Sequence, residues 1–196
     1  MSKTVEFFFD LGSPASYLAW TQLPALCARH DAQLRYRPML LGGVFQATGN
    51  ASPAMVPAKA RYVFADFQRY AKRYGVTLAF PPGFPVNTLG LMRGTMAVQL
   101  FQPERFEAYL AALFPAMWVQ QRNLGDPQVL ATVLREAGFD PEQYQAWSVD
   151  PQVKAALKEA TEEAVRRGTF GAPTFFVGEQ MFFGQDRLEF VEAVLA

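Results

Sequence analysis

The segment that most constrains this chain is Thr4-Val5-Glu6-Phe7-Phe8-Phe9, a strand-length run that is apolar on nearly both faces. Such a strand is stable in mid-sheet, with helices covering each side. Ser13-Pro14 then supplies a capping hydroxyl and a proline at the first helical position. Tyr17 to His30 carries a helix that Pro24 is expected to kink. Gln33 to Arg37 reads as a second strand. Strand, helix and strand in this order make a βαβ unit, whose crossover is almost always right-handed.

The alternation then breaks. Residues 39–56 read as loop, with Gly42-Gly43, Gly49-Asn50 and Ser52-Pro53, and Pro57 to Tyr74 reads as a helix closed by Gly75. Its inward face is expected to hold Val63, Phe67, Tyr70 and Tyr74. Past a proline-rich apolar loop from Phe80 to Val86, helices are read at Thr88–Phe101, Pro103–Met117, Pro127–Ala137 and Pro151–Arg167, with a short one near Pro141–Trp147. Asp126-Pro127, Asp140-Pro141 and Asp150-Pro151 repeat one helix-starting device, an acid that caps and a proline that presets the first turn, so these acids are read as structural. Strands return at Thr174–Val177 and Met181–Phe183, and a last helix places Leu188, Val191 and Leu195 on one face.

A βαβ unit, a block of helices, a hairpin and a final helix is the order of an α/β, thioredoxin-like fold with a helical insertion. The thioredoxin-like part is assigned to residues 1–40 and 168–196 and the insertion to 41–167, with the helix near 151–167 assignable to either.

Composition removes several function classes. The chain has 196 residues, with 18 basic and 18 acidic side chains in balance, so it carries no basic footprint for nucleic acid or an anionic membrane. Cys27 is the only cysteine and His30 the only histidine, which excludes a Cys-x-x-Cys redox pair, an intrachain disulfide and a multi-cysteine or histidine-rich metal centre. No apolar run approaches a membrane span or a signal peptide, and a cytoplasmic location is the expectation.

The chemistry is expected at Ser13-Pro14-Ala15-Ser16, where thioredoxin-like redox proteins keep Cys-x-x-Cys and this chain has serine at both cysteine positions. A helix N-terminus presents unpaired N–H groups and positive potential, which suit a thiolate brought by a ligand, and the Ser13 hydroxyl is placed to donate to that sulfur. The alternative is that Ser13 only caps its own helix. Phe170-Gly171-Ala172-Pro173-Thr174-Phe175 precedes the third strand, where a thioredoxin-like fold places a cis X-Pro bond facing that helix start. The Ala172 backbone would then be open to an extended, peptide-like ligand; an ordinary turn is the alternative.

Phe9-Asp10, Ser13 to Ala19, Gly49-Asn50, Lys59, Tyr62, Phe84 to Thr88, Phe170 to Phe175 and Phe183-Gly184-Gln185-Asp186-Arg187-Leu188 together resemble the 2-hydroxychromene-2-carboxylate isomerases. These are relatives of the kappa-class glutathione transferases in the DsbA-like branch of the thioredoxin fold. The resemblance spans nearly the whole chain. It implies glutathione as cofactor, with Ser13 beside its sulfur, Ala172 and Pro173 against its cysteinyl backbone, Gln185 and Asp186 at its γ-glutamyl end, and contacts from Lys59 and Asn87. It implies isomerisation of 2-hydroxychromene-2-carboxylate to trans-o-hydroxybenzylidenepyruvate, or of a close analogue, in aromatic catabolism. The partner is then a small aromatic 2-oxo acid or chromene, and a homodimer stays open. A kappa-like transferase or peroxidase and a non-catalytic thioredoxin-like binding module are the other readings.

The proposed contacts differ in physical force. Asp186 is read as opening the last helix, where its carboxylate suits an ammonium and nearby N–H groups suit a carboxylate; a plain cap is the alternative. Lys59 is read in the first turn of its helix, four residues before Val63 on the apolar face, so helix dipole and burial both oppose its charge unless an anion relieves them. Snorkelling to water is the alternative. Asn87 before Thr88 also suits a helix cap. Cys27 reads as an inert buried thiol and His30 as a helix-end residue, while Phe45, Phe80 and Phe84 are candidates to line a pocket for a flat aromatic molecule.

Overall fold

The computed structural model describes residues 3–196. Strand β1 (Thr4–Phe9), helix α1 (Pro14–Arg29) and strand β2 (Gln33–Pro38) form the opening unit, with β1 and β2 parallel from Thr4↔Gln33 to Phe9↔Pro38. Helices α2 (Leu41–Thr48), α3 (Pro57–Tyr74), α4 (Leu89–Phe101), α5 (Phe106–Trp118), α6 (Pro127–Glu136), α7 (Pro141–Val149) and α8 (Pro151–Arg166) follow. The chain returns in β3 (Thr174–Val177) and β4 (Gln180–Phe183) and closes with α9 (Leu188–Leu195). The sheet order is β2-β1-β3-β4, with β3 antiparallel to both of its neighbours. This is the thioredoxin-like arrangement that the element order predicts.

β1 lies between β2 and β3, where its two-sided apolar pattern requires it. On one face Phe7 stacks against Phe9 at 5.0 Å and Phe175 at 5.6 Å between ring centroids. From there a single apolar core runs on into α1, the helices between β2 and β3, and α9. On the other face Phe8 and Phe176 meet Met39, Val44 of α2 and Ala164 of α8. Each fully buried phenylalanine contributes roughly 1.5–3 kcal/mol by leaving water. Glu6, on the Phe8 side of the pleat, pairs with Arg37 at 2.9 Å and Arg167 at 2.7 Å, and the Arg167 guanidinium lies 3.8 Å from the Phe176 ring centre. The charged group is thereby tolerated against the sheet.

Three helix starts use the expected acids: Asp126 accepts the Gln128 N–H at 2.8 Å, Asp140 the Glu142 N–H at 2.9 Å and Asp150 the Gln152 N–H at 2.7 Å. Helix α1 continues through Pro24.

Two stretches depart from the sequence reading. Within 39–56, Leu41–Thr48 is a helix, despite paired glycines that disfavour one locally. Tertiary contacts override that propensity. Val44 is buried beneath Phe8, a Cβ on Gly43 would stand 3.2 Å from the Thr161 methyl, and the Leu40 and Leu41 N–H groups donate to Thr161 and Asp10. Asp186 does not open the last helix: Gln185–Arg187 forms a 3-10 turn and α9 begins at Leu188.

Candidate active site

The start of α1 is built on the end of the central strand. Asp10 is 1% exposed, and its carboxylate accepts the Gly12 N–H at 2.8 Å, the Leu41 N–H at 2.9 Å and the Thr88 hydroxyl at 3.0 Å. One side chain thus ties together the β1–α1 turn, the start of α2 and the start of α4. Burial pushes the Asp10 carboxyl above its ordinary range, against the pull of these three donors. The Asp10 carbonyl also accepts the Ser13 N–H at 3.0 Å.

Ser13 Oγ caps α1 by accepting the Ser16 N–H at 3.1 Å, so the capping reading holds. The same hydroxyl donates to the Ala172 carbonyl at 3.2 Å. Ala172-Pro173 is cis, as its place in the chain predicts. Residues 159 positions apart therefore meet at one oxygen. The Ala172 carbonyl takes the Ser13 hydroxyl, and no hydrogen bond among the described residues uses the Ala172 N–H. Ser16, at the other serine position, is fully buried with an unpartnered hydroxyl and has no access to a ligand.

The far side of the loop is braced on the last turn. Pro173 accepts the Gly184 N–H at 3.0 Å, and Gly184 has φ 99°, a conformation that favours glycine. Gln185 is 5% exposed; its carbonyl accepts the Tyr74 hydroxyl at 2.6 Å, while no hydrogen bond among the described residues uses its side-chain amide. Asp186 pairs with Arg187 at 2.6 Å and borders a small cavity of about 190 Å³ with Gln22, Tyr70, Arg73 and Tyr74.

Other candidates fare differently. Lys59 is exposed, as are Met55, Val56 and Tyr62 beside it, so the helix dipole opposes its charge and burial, contrary to the expectation from periodicity, does not. The apolar face of α3 turns inward further along, at Phe67, Tyr70, Ala71 and Tyr74. Asn87 is exposed and accepts the Leu89 N–H at 3.0 Å, a local turn bond to the first residue of α4, whose cap position is Thr88. Phe80 and Phe84 pack with Phe64 against Trp118, whereas Phe45 sits on α2. Cys27 is buried, with its thiol pushed up to about 11 by desolvation, and His30 meets Glu192 at 3.1 Å near the end of α1. No group of metal-ligating side chains forms among the described residues.

Asp10 and Asn50 are the positioning residues that sequence reasoning left without a role. An acid directly after the Phe7-Phe8-Phe9 run was the signal for Asp10. Asn50 donates to the Phe170 carbonyl at 2.8 Å, fastening the α2–α3 connection to the cis-proline loop, and only the resemblance had marked it.

The family model of the DsbA-like thioredoxin domain matches residues 4–196. The chain is 33% identical to a 2-hydroxychromene-2-carboxylate isomerase of Sphingobium xenophagum over 100% of this chain and 99% of that one. It is 31% identical to human glutathione S-transferase kappa 1, over 100% of this chain and 92% of the relative. Among solved structures, a 2-hydroxychromene-2-carboxylate isomerase superposes with a TM-score of 0.86 at 29% identity, covering 98% of this chain and 94% of that one. A probable DsbA oxidoreductase of Streptomyces coelicolor, 19% identical with a TM-score of 0.72 over 98% and 88% of the two chains, shares the fold. The chain therefore belongs to the DsbA-like thioredoxin family, among relatives that are 2-hydroxychromene-2-carboxylate isomerases and kappa-class glutathione transferases.

Proposed function

We propose that this protein is a glutathione-dependent isomerase acting on 2-hydroxychromene-2-carboxylate or a close aromatic analogue. The observation that carries the proposal is the meeting of Ser13 Oγ, the α1 N-terminus and the Ala172 carbonyl at one point. Groups of the cis-proline loop and of the turn braced on it suit glutathione: the unused Ala172 N–H for a peptide carbonyl, and the unpartnered Gln185 amide with the Asp186 carboxylate for a γ-glutamyl end. Bound glutathione supplies a thiol that, as thiolate, adds reversibly to a conjugated double bond, permits rotation and leaves unchanged.

The residues of this chain make that thiolate available near neutral pH. A free thiol ionises at about 8.5, and a helix N-terminus with a hydroxyl donor lowers that value. Ser13 turns its hydroxyl from Ala172 toward the sulfur while its second role, capping Ser16, keeps Oγ in place. Asp10 holds the backbone of the turn from below. Lys59 and Asn87 enter the same proposal through the family resemblance, Lys59 as an exposed cation for a ligand carboxylate.

The kappa-type relatives support a second reading, glutathione transfer to an electrophile at the same site. Incubation with 2-hydroxychromene-2-carboxylate and substoichiometric glutathione separates the two. Many turnovers per glutathione with free thiol recovered is the isomerase outcome. One turnover with thiol consumed favours the transferase, and no reaction despite glutathione binding removes the proposed substrate.

A further inference from the structure

We propose that the cleft between α2, α4 and α8 binds a small carboxylate carried on an apolar body, with Arg93 as its anion anchor. The cleft has a volume of about 650 Å³, within the range of small-molecule sites. Leu40, Ala47, Leu89, Leu157 and Val165 give it an apolar lining. Four cations border it, Arg93, Lys154, Lys158 and Arg166, against one acid, Glu162.

Two of these cations already have partners. Lys158 pairs with Glu162 at 2.6 Å and Arg166 with Glu159 at 2.6 Å. Arg93 and Lys154 enter no ion pair and no side-chain hydrogen bond among the described residues. Lys154 is exposed and well hydrated, whereas Arg93 is half-buried beside apolar side chains. A guanidinium in that setting gives up hydration without compensation, and its planar fork matches a carboxylate in two parallel hydrogen bonds. The leucine-rich lining selects an anion with an apolar, ring-sized body over a small hydrated one. Thr161 does not compete for that anion, because its hydroxyl donates to the Leu157 carbonyl and accepts the Leu40 N–H.

The lining contains none of Ser13, Ala172, Gln185 or Asp186, so the inference stands independently of the thiol chemistry proposed above. The cleft adjoins that region through Leu40 and Leu89, the chain neighbours of Leu41 and Thr88, which donate to Asp10.

The test is calorimetric titration of the full chain with trans-cinnamate and, as the uncharged comparison, trans-cinnamyl alcohol. Saturable one-to-one binding of cinnamate is expected, weakened about tenfold or more by Arg93→Gln and by replacing the acid with the alcohol. Ala47→Phe, at an exposed helical position whose new ring fills the cleft, is expected to abolish binding, and Ser13→Ala to leave it unchanged. Melting curves of each variant establish that it is folded. Absence of saturable binding, equal affinity in folded Arg93→Gln, or binding lost in Ser13→Ala but kept in Ala47→Phe would each overturn the proposal.

Discussion

The carboxylate of Asp10 and the hydroxyl of Thr88 lie 3.0 Å apart, in a bond that joins the end of the central strand to the residue just before α4. Gly12 sits between them so closely that a Cβ there would collide with the Thr88 methyl. The turn that carries Ser13 is therefore set by the helices between β2 and β3 as well as by its own strand and helix.

Replacing Asp10 with asparagine leaves one acceptor oxygen for three donors. A loss of about 1–3 kcal/mol is expected, the cost of leaving a buried donor unmatched, measured by urea unfolding. Unchanged stability would mean that the three bonds do not organise this turn.

The same residue gives a pH signature. Its carboxyl is raised in the folded state, chiefly by burial, so the fold binds this proton more tightly than the unfolded chain does. The stabilisation linked to that proton is fully present below the carboxyl's unfolded pKa and is lost as pH rises through the folded value. The advantage of the natural protein over Asp10→Asn is thus expected to widen as pH falls toward the ordinary carboxylate range. Parallel stability curves would contradict the assignment.

Ser13→Ala is expected to lower turnover on the order of 10²–10³-fold at saturating glutathione, by analogy with loss of one oxyanion-hole donor. It also removes the α1 cap, at about 1 kcal/mol. Rates are therefore compared per folded molecule at a temperature well below the melt. An unaltered rate would remove Ser13 from the chemistry.

Lys59→Ala and Asp186→Ala test the ends of the proposed glutathione site. Each is expected to raise the glutathione dissociation constant about tenfold or more, as loss of a charge-assisted contact does. If Asp186→Ala lowers the melting temperature with affinity intact, its pairing with Arg187 is its whole role. For exposed Lys59, intact affinity alone settles the matter.

Gly94 probes packing where helix propensity points the other way. In α4, alanine is favoured over glycine by about 1 kcal/mol. Its Cβ would fall within the Tyr144 ring, whose hydroxyl donates to the Leu91 carbonyl and stands 3.1 Å from that of Tyr109. Overpacking is expected to prevail, with Gly94→Ala destabilised by about 1–3 kcal/mol in thermal melts. A stabilised variant would show that α4 and α7 separate freely.

Much of the architecture was legible because its causes are local. The two-sided apolar pattern of Thr4–Phe9 placed that strand mid-sheet, Asp-Pro pairs marked three helix starts, and Gly75 ended α3, since strand pattern, capping and turn chemistry act over a few residues. The absence of a second cysteine excluded dithiol chemistry by composition alone. Other features were decided by contacts distant in sequence. Helix α2 forms across two glycines because Asp10 and Thr161 satisfy its first N–H groups and Val44 is buried under Phe8. Whether Ser13 merely caps its helix or also faces another segment depended on Ala172 arriving from 159 residues away. Lys59 lay on an apolar stripe by periodicity, yet it is exposed, because periodicity orients a helix face while only the neighbouring elements determine how far along the helix that face is covered.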